Sequence, residues 1–327
     1  MYHLPGADRV QLLFFHEIPF INLHRSTINQ VNLPICLALA ITASTASAQS
    51  LDQRVHSEID GFSGTVSLYA KNLDTGESYS LRGDDRVRTA STIKVAIMAT
   101  VFQAVADGRA RWTDLLPLTD QGRVSGSGVI RELSTGVRLP IRDLVNLMIV
   151  VSDNTATNLL LERFTANAVN AELDRLGLKQ TRSLRMIRGD ADDLKPPRGF
   201  SEAGRLPENQ PFGIGVSTPH EMVMLVEKIE KGEVVSPAAS HEMIAILKRQ
   251  QYKDGIGRHT GNLPVANKTG SLDHLRSDVG IVYSPGGRIA LAITVEDIPM
   301  VDYSDDNPGT LLISKLTSVL LSGLGRK

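Results

Sequence analysis

The sequence predicts an α+β fold: an antiparallel sheet formed from both chain ends with flanking helices, plus an inserted all-helical lobe. Alternating apolar and polar residues, typical of half-buried strands, occur within residues 62–86 and again within residues 278–296. Residues 91–248 between them are mostly helical in pattern. Because a two-stranded hairpin is unstable alone, we expect both ends to join one sheet.

The elements of the sheet follow in order. The run GTVSLYAKN, the turn LDTGES and the return YSLRG predict the first hairpin. The runs DVGIVYS and RIALAITVE, joined by PGG, predict the second hairpin, and NPGTLLISKLTSVLLSGL predicts a closing amphipathic helix. A site is expected in the cleft between the sheet and the helical lobe.

Composition excludes a nucleic-acid-binding or membrane-surface protein held by bulk charge. The chain has 327 residues with 42% hydrophobic residues, and its 35 basic side chains nearly balance 36 acidic ones. Such a chain is globular and offers no strongly basic surface, so small-molecule partners are expected.

Residues 1–48 are predicted to be a signal peptide with an N-terminal extension, ahead of a domain over residues 49–327. The apolar run around Cys36 is too short to span a bilayer, and an A-x-A sequence ends at Ala48. Cys36 is the only cysteine, so the mature chain would form no disulfide. We expect a periplasmic or secreted bacterial protein without a stable membrane anchor. A buried N-terminal helix is the alternative.

The stretch RTASTIKVAIMATVF places Ser91 three residues before Lys94, at the mouth of an apolar helix. Residues i and i+3 share a helix face, so the ammonium group would lie near the hydroxyl. This arrangement can build a nucleophile, since serine is too weakly acidic to attack a carbonyl unaided. A capping serine beside a snorkelling lysine is the alternative.

Two further motifs follow in order, Ser-Asp-Asn at residues 152–154 and Lys-Thr-Gly at residues 268–270. With the Ser-x-x-Lys pair they form the motif set of penicillin-recognising serine enzymes. The stretches GSGVIRELSTGVRLPIRDLVNLMIVVSDNTATN and GVSTPHEM add to the match. Over about residues 58–323 the chain therefore resembles a class A serine β-lactamase, or a relative in the penicillin-binding serine hydrolase superfamily.

The resemblance implies a monomeric hydrolase without a cofactor that opens β-lactam amides through an acyl-enzyme on Ser91. Lys94 would be the base, with its pKa lowered by burial and by Lys268, and Ser152 would relay the proton. The alternative is a D-alanyl-D-alanine peptidase, or a slow serine esterase or amidase, that β-lactams acylate. A binding or sensor domain that is only acylated is a third possibility.

The resemblance also assigns substrate contacts. Asn154 would bind a substrate amide, while Lys268 and Thr269 would hold its carboxylate. The N–H groups of Ser91 and of Ser271, after Gly270, would form an oxyanion hole.

The base for deacylation is the weak point of the resemblance. Class A enzymes carry a Glu-x-x-Leu-Asn pattern in a loop between the second and third motifs, and this sequence has none. The corresponding loop, within residues 188–215, offers Glu202 and Glu208 as candidates, and either acid could equally be a solvated loop residue.

Other polar residues have open or structural interpretations. Asp153 is expected to orient backbone, and Arg276 is either a substrate-carboxylate contact or part of a solvated strand face. His220 and His241 each begin an incomplete H-E-x-x-H pattern, so no metal site is predicted.

Overall fold

The structure, a computed structural model, describes residues 49–188 and 199–325. The predicted signal peptide and extension, residues 1–48 with Cys36, lie outside the described residues. Over the two described ranges, no helix is long and apolar enough to cross a membrane.

Ten strands are present in the described chain. They are β1 (Thr65–Asn72), β2 (Ser78–Leu81), β3 (Val87–Arg88), β4 (Leu115–Pro117), β5 (Arg138–Pro140), β6 (Arg182–Ser183), β7 (Gly215–Ser217), β8 (Val265–Leu272), β9 (Leu275–Ser284) and β10 (Gly287–Glu296). Five form an antiparallel sheet in the order β2-β1-β10-β9-β8. Thr65 of β1 lies opposite Glu296 of β10, so both chain ends build this sheet, as predicted.

Helices cover both faces of the sheet and form the inserted lobe. The described residues contain α1 (Leu51–Ile59), α2 (Lys94–Ala106), α3 (Ile141–Val150), α4 (Asn154–Phe164), α5 (Ala166–Arg175), α6 (Pro219–Glu230), α7 (Pro237–Lys248) and α8 (Pro308–Leu324). The predicted closing helix is α8, which begins after the cap Asn307. The α+β fold is thereby confirmed.

The sheet divides the core into two apolar clusters. Leu291 and Ile293 of β10 pack with residues of α8, whereas Ala290 and Ala292 join the cluster of the helical lobe. Successive residues of a strand point to opposite faces, so helices on both sides leave almost every position of β10 buried. This two-sided burial explains why the central strands are nearly continuous apolar runs.

Helix α2 runs through the helical lobe and positions the candidate nucleophile. Its side chains are buried on nearly every side, from Lys94 to Phe102. A helix that is apolar all round belongs in the core. Because the lobe packs around α2, the segment immediately before this helix is held firmly at the lobe's edge.

Two small sheets were not predicted from the sequence. Strands β3, β7 and β6 form a three-stranded sheet, and β4 pairs with β5. Arg88 lies opposite Val216, and the N–H of Thr89 donates to the carbonyl of Gly215 at 3.0 Å. Strands of two or three residues are too short to show a period, but β3 leads the chain directly into Ser91.

Candidate active site

Ser91 lies in a turn of 3₁₀ helix, Ala90–Ile93, which continues into α2. The N–H of Lys94 donates to the carbonyl of Ser91 within this turn. Side chains three residues apart eclipse one another in 3₁₀ geometry, so Lys94 follows Ser91 on one face of this turn. Ala90 has a φ of 45°, which is unusual for a residue other than glycine and marks a tightly constrained entry.

Gly270 allows strand β8 to approach the Ser91 turn closely. A Cβ atom at this position would lie 2.8 Å from the carbonyl oxygen of Thr89 and 3.0 Å from the backbone nitrogen of Ser91. Any larger residue would therefore push the strand away from the serine. The glycine of the Lys-Thr-Gly motif acts through this close approach.

A single hydroxyl lies between two buried lysines. Lys94 Nζ donates to Ser152 Oγ at 3.1 Å, to the Ser152 carbonyl at 2.7 Å and to Asn154 Oδ1 at 3.0 Å. Lys268 Nζ donates to the same Ser152 Oγ at 3.0 Å and to the Thr269 carbonyl at 2.7 Å. With both lone pairs of its oxygen engaged, the Ser152 hydroxyl can only donate its proton elsewhere.

Burial shifts the pKa of both lysines downward. The pKa of Lys94 is lowered well below its ordinary value, first by loss of hydration and then by the charge of Lys268, against an opposing effect of Asp153. Loss of hydration lowers the pKa of Lys268 to about 7, against an opposing effect of Asp278. Two ammonium groups cannot share this buried space at low cost, so loss of a proton from Lys94 is favoured. The neutral amine would keep two of the three hydrogen bonds described above and carry one free lone pair.

Asp153 holds the Ser-Asp-Asn turn in place. It caps α4 by accepting from the N–H of Ala156 at 2.8 Å, and it accepts from the N–H groups of Val129 and Ile130 at 2.6 and 2.9 Å. The neighbouring Ser152 has a φ of 55°, a sparsely populated conformation for serine. The carboxylate orients backbone, as the sequence predicted, and thereby keeps Ser152 in its constrained conformation.

These side chains meet at a cleft of about 890 Å³. Six of the eight predicted catalytic and substrate-contact residues line it: Ser91, Ser152, Asn154, Thr269, Gly270 and Ser271. Lys94 and Lys268 are fully buried beside it. The structure therefore brings all eight predicted site residues together.

Asn154 and Ser271 present polar groups along the walls of the cleft. Asn154 Nδ2 donates to the carbonyl of Ser125 at 2.9 Å. Asn154 Oδ1 has two lone pairs, one of which accepts from Lys94, so the other is available to a ligand. Ser271 lies on β8, opposite Arg276 of β9. Strand β8 is the edge strand of the five-stranded sheet. An edge strand leaves alternate N–H groups without a strand partner.

Arg276 does not lie on a solvated strand face, because it is only 5% exposed. It lines the cleft, but its guanidinium donates to the carbonyls of Leu272 and Leu275, both at 2.6 Å, and to that of Asp302. It also lies 4.9 Å from the ring centroid of Tyr303. Most of its donors are thus spent on backbone rather than available to a ligand.

The two acids considered for deacylation lie outside the cleft. Glu202 is exposed and begins a short 3₁₀ helix, and its N–H donates to Asn167 Oδ1 at 2.8 Å. Glu208 is also exposed, and neither glutamate belongs to the cleft lining. Their positions are those of solvated loop acids.

The incomplete zinc patterns have structural explanations. His220 Nδ1 lies 2.9 Å from Asp84 Oδ1, and its ring stacks on Tyr69 at 4.3 Å between centroids. His241 lines a separate surface pocket beside α7. Within the described ranges, no group of three or more His, Cys, Asp or Glu side chains could hold a metal ion.

One wall of the cleft was missed in the sequence. Arg185, Ile187 and Arg188 line it, and Asn158 ties Ile187 to α4 through two hydrogen bonds. Asn158 follows Asn154 by one helical turn, so both asparagines share a face of α4. That spacing was the available signal, but nothing in the letters indicated what Asn158 would hold.

Comparison with known proteins identifies the family. Residues 50–324 match the sequence profile of the β-lactamase enzyme family, so the chain belongs to that family. The predicted resemblance to class A serine β-lactamases and penicillin-binding serine hydrolases is confirmed.

Individual relatives are distant. The chain is 28% identical to β-lactamase L2 of Stenotrophomonas maltophilia over 68% of this chain and 70% of the relative. It is 26% identical to an imipenem-hydrolyzing β-lactamase of Enterobacter cloacae, over 80% of this chain and 85% of the relative.

Solved structures agree with the fold. The crystal structure of a β-lactamase from Sphaerobacter thermophilus matches with a TM-score of 0.71 and 30% identity, over 84% of this chain and 96% of that chain. PBP-A, in an acyl-enzyme complex of one variant with penicillin G, matches with a TM-score of 0.69 and 25% identity, over 83% and 94%.

Proposed function

We propose that this protein is a serine β-lactamase-like hydrolase in which Ser91 opens the β-lactam amide and becomes acylated. The observation that carries the proposal is the Ser152 hydroxyl, which accepts from Lys94 and Lys268 at 3.1 and 3.0 Å. A hydroxyl that is hydrogen-bonded both to a lysine of lowered pKa and to a second lysine can relay a proton between the lysine and the substrate. The acyl-enzyme complex formed by a PBP-A variant with penicillin G supports the same chemistry here.

In the proposed acylation step, neutral Lys94 takes the proton of Ser91 as its oxygen bonds to the lactam carbonyl carbon. The carbon–nitrogen bond then breaks, and the leaving nitrogen receives a proton from the Ser152 hydroxyl, which is replenished from Lys94. Each proton thus moves from Ser91 to the amine product, with no net change at the lysines. Hydrolysis of the ester by water would complete turnover.

The proposed substrate position follows from the donors around the cleft. Lys268 and Thr269 on β8 would hold the carboxylate of the substrate, since a protonated lysine favours an anion. The N–H groups of Ser91 and Ser271 would stabilise the developing oxyanion. The free lone pair of Asn154 Oδ1 would accept from the amide N–H of the acyl arm.

A second function is favoured by the position of Glu202 and Glu208 outside the cleft. Deacylation requires a group that activates water at the ester carbon. If that group is missing, the protein would be a D-alanyl-D-alanine peptidase, or a slow serine esterase or amidase, which β-lactams acylate for long periods.

Intact-mass spectrometry of the mature protein with benzylpenicillin, followed against time, tests these proposals. A transient adduct supports β-lactam hydrolysis, a lasting adduct supports the peptidase-like enzyme, and no adduct contradicts both. The adduct should vanish in Ser91→Ala. In Lys94→Ala it should form at least about 10²-fold more slowly, because a positioned base is lost. Glu208→Gln, outside the cleft, is the matched control and should behave as wild type.

We also propose that the protein is exported, on the basis of the apolar run and the A-x-A sequence before Gln49. The test is N-terminal sequencing of protein recovered from the periplasm or medium of the producing bacterium. A mature terminus at or near Gln49 supports export, and a chain that retains Met1 in the cytoplasm contradicts it.

A further inference from the structure

Two arginines in the wall of the cleft have no acidic partner in the part of the chain that the structure describes. Arg185 is half-buried and Arg188 is exposed, and both line the cleft that contains Ser91. Arg185 Nη1 donates to the carbonyl of Met186 at 3.1 Å, and its Nη2 lies beside Gly213, whose Cβ would sit 3.7 Å away. Most of the five donors of this guanidinium are therefore uncommitted.

The two guanidinium groups influence each other. Burial lowers the pKa of Arg185 first, and the charge of Arg188 lowers it further. A guanidinium group keeps its positive charge in proteins, so both side chains are cations. Within residues 49–188 and 199–325 no acidic side chain is paired with these two cations, so an anionic ligand would be favoured beside them.

The position of the pair decides which part of the substrate it meets. Ile187, between the two arginines, is bound to Asn158 of α4, one turn after Asn154. This wall is therefore the one beside Asn154, where the proposed substrate places its acyl arm. The substrate carboxylate is assigned to Lys268 on the opposite, sheet-side wall, so the arginines would meet a second anionic group.

Beyond the lysine at position 268, the sheet-side wall presents several acidic side chains. Asp254, Asp273 and Asp305 line the cleft there, with Asp273 following directly on the end of β8. With Lys268 assigned to the substrate carboxylate and Arg276 bonded to backbone carbonyls, a second anionic group on the acyl arm would be attracted to Arg185 and Arg188 instead of these acids. The two walls of the cleft thus differ in the charge that they would present to the acyl arm.

We propose that Arg185 and Arg188 bind an anionic group, a carboxylate in the first instance, on the acyl arm of the preferred substrate. This inference rests on the proposed function, since it assumes that the acyl arm lies beside Asn154. The arginines determine specificity and take no part in bond breaking. Substrates with an anionic acyl arm are favoured over neutral ones, and cationic arms are disfavoured.

The test uses three penicillins that differ at one carbon: benzylpenicillin, its α-carboxy derivative and its α-amino derivative. Second-order rates of adduct formation are measured for wild type, Arg188→Ala, Arg185→Ala and the control Arg138→Ala, an exposed arginine outside the cleft. The α-carboxy to benzyl ratio should fall about fivefold in Arg188→Ala, and more in Arg185→Ala, and stay unchanged in Arg138→Ala.

Two further measurements keep the inference testable if a variant fails to fold or acylation is absent. In wild type, the α-carboxy preference should weaken between low and high salt, while the benzylpenicillin rate changes less. Affinities of the three penicillins for Ser91→Ala, which cannot form the adduct, should follow the same order. A preference that is the same in all variants and insensitive to salt would overturn the inference. Failure of acylation alone would overturn only the proposed function.

Discussion

Asn158 and Ile187 exchange two hydrogen bonds across the helical wall of the cleft: Asn158 Nδ2 donates to the Ile187 carbonyl at 2.8 Å, and its Oδ1 accepts from the Ile187 N–H at 2.9 Å. A side-chain amide that satisfies both backbone groups of one residue fixes that residue in position and orientation. The side chain held in this way is apolar, in a cleft where deacylation needs a polar group. The described residues therefore offer no obvious water-activating carboxylate at this wall.

Ile187→Glu should accelerate deacylation. The substitution places a carboxylate on a residue that already lines the cleft and is already held by Asn158, where it can orient water toward the ester. We expect the lifetime of the penicillin adduct to shorten by about tenfold or more, measured by intact mass after rapid removal of free penicillin. Ile187→Gln is the control, since glutamine has nearly the same shape as glutamate but has no carboxylate to act as a base. Equal lifetimes for the Glu and Gln variants would contradict the prediction.

Glu202→Gln should leave both acylation and deacylation unchanged. Glu202 is exposed and does not line the cleft, so its carboxylate cannot reach the ester carbon. Adduct formation and decay, compared with wild type in one experiment, measure this. A trapped adduct in Glu202→Gln, with acylation intact, would instead show that the loop supplies the base.

The rate of acylation should decline as the pH rises above neutrality. In the proposed mechanism Lys94 acts in its neutral form, and its pKa is lowered, so acylation is lost only as pH falls through that lowered pKa. In the same proposed mechanism Lys268 binds the substrate carboxylate in its charged form, which is lost as pH rises through its pKa of about 7. Stopped-flow rates between pH 5 and 9 should show the alkaline decline.

The variant Lys268→Arg provides the control for this pH dependence. A guanidinium keeps its charge throughout this range, so the alkaline decline should disappear even if the maximal rate is lower. A wild-type rate that stays flat from pH 7 to 9 would argue against a charged Lys268 in substrate binding.

Gly270→Ala should damage both stability and acylation. The new methyl group would meet the Thr89 carbonyl at 2.8 Å and the Ser91 nitrogen at 3.0 Å, both of which belong to backbone that cannot rotate away. We expect a loss of about 1–3 kcal/mol in the free energy of unfolding, measured by urea denaturation, and slower adduct formation. Gly122→Ala, whose new Cβ would approach no atom closer than Thr119 Oγ1 at 3.2 Å and would meet no backbone atom among its nearest contacts, should cost less. Full activity in Gly270→Ala would contradict the argument.

Most of the site could be predicted because its residues belong to short sequence motifs. Ser91 and Lys94 are one turn apart, so their juxtaposition needs only a helix. Lys94, Ser152 and Lys268 meet only if three distant segments of the chain converge. Spacing alone does not predict that convergence, and the resemblance of the motif set to a known family does. The sheet could be predicted since its hairpins have clear periods and turns.

The parts that could not be predicted depend on side-chain placement across loops. Nothing in the pattern around Arg276 distinguishes a solvated arginine from one that donates to three backbone carbonyls. Glu202 lies near a plausible chain position for a base, yet the fold turns it outward. The arginine wall at Arg185 and Arg188 is irregular backbone, where periodicity carries no information.

The strand order has a consequence for how the protein folds. Strand β1 is hydrogen-bonded to β10, and β8, which carries Lys268, is the outermost strand of the same sheet. The first hairpin must therefore wait for nearly the whole chain before it finds its neighbour, and such non-local pairing folds slowly because a long loop is closed before contacts reward it. Until then the apolar side of β1 is exposed and prone to aggregation. Helix α2, which follows Ser91, can form early, but Lys268 reaches Ser152 only when β8 has joined the sheet through β9. The complete candidate site should therefore appear only in a late phase of folding.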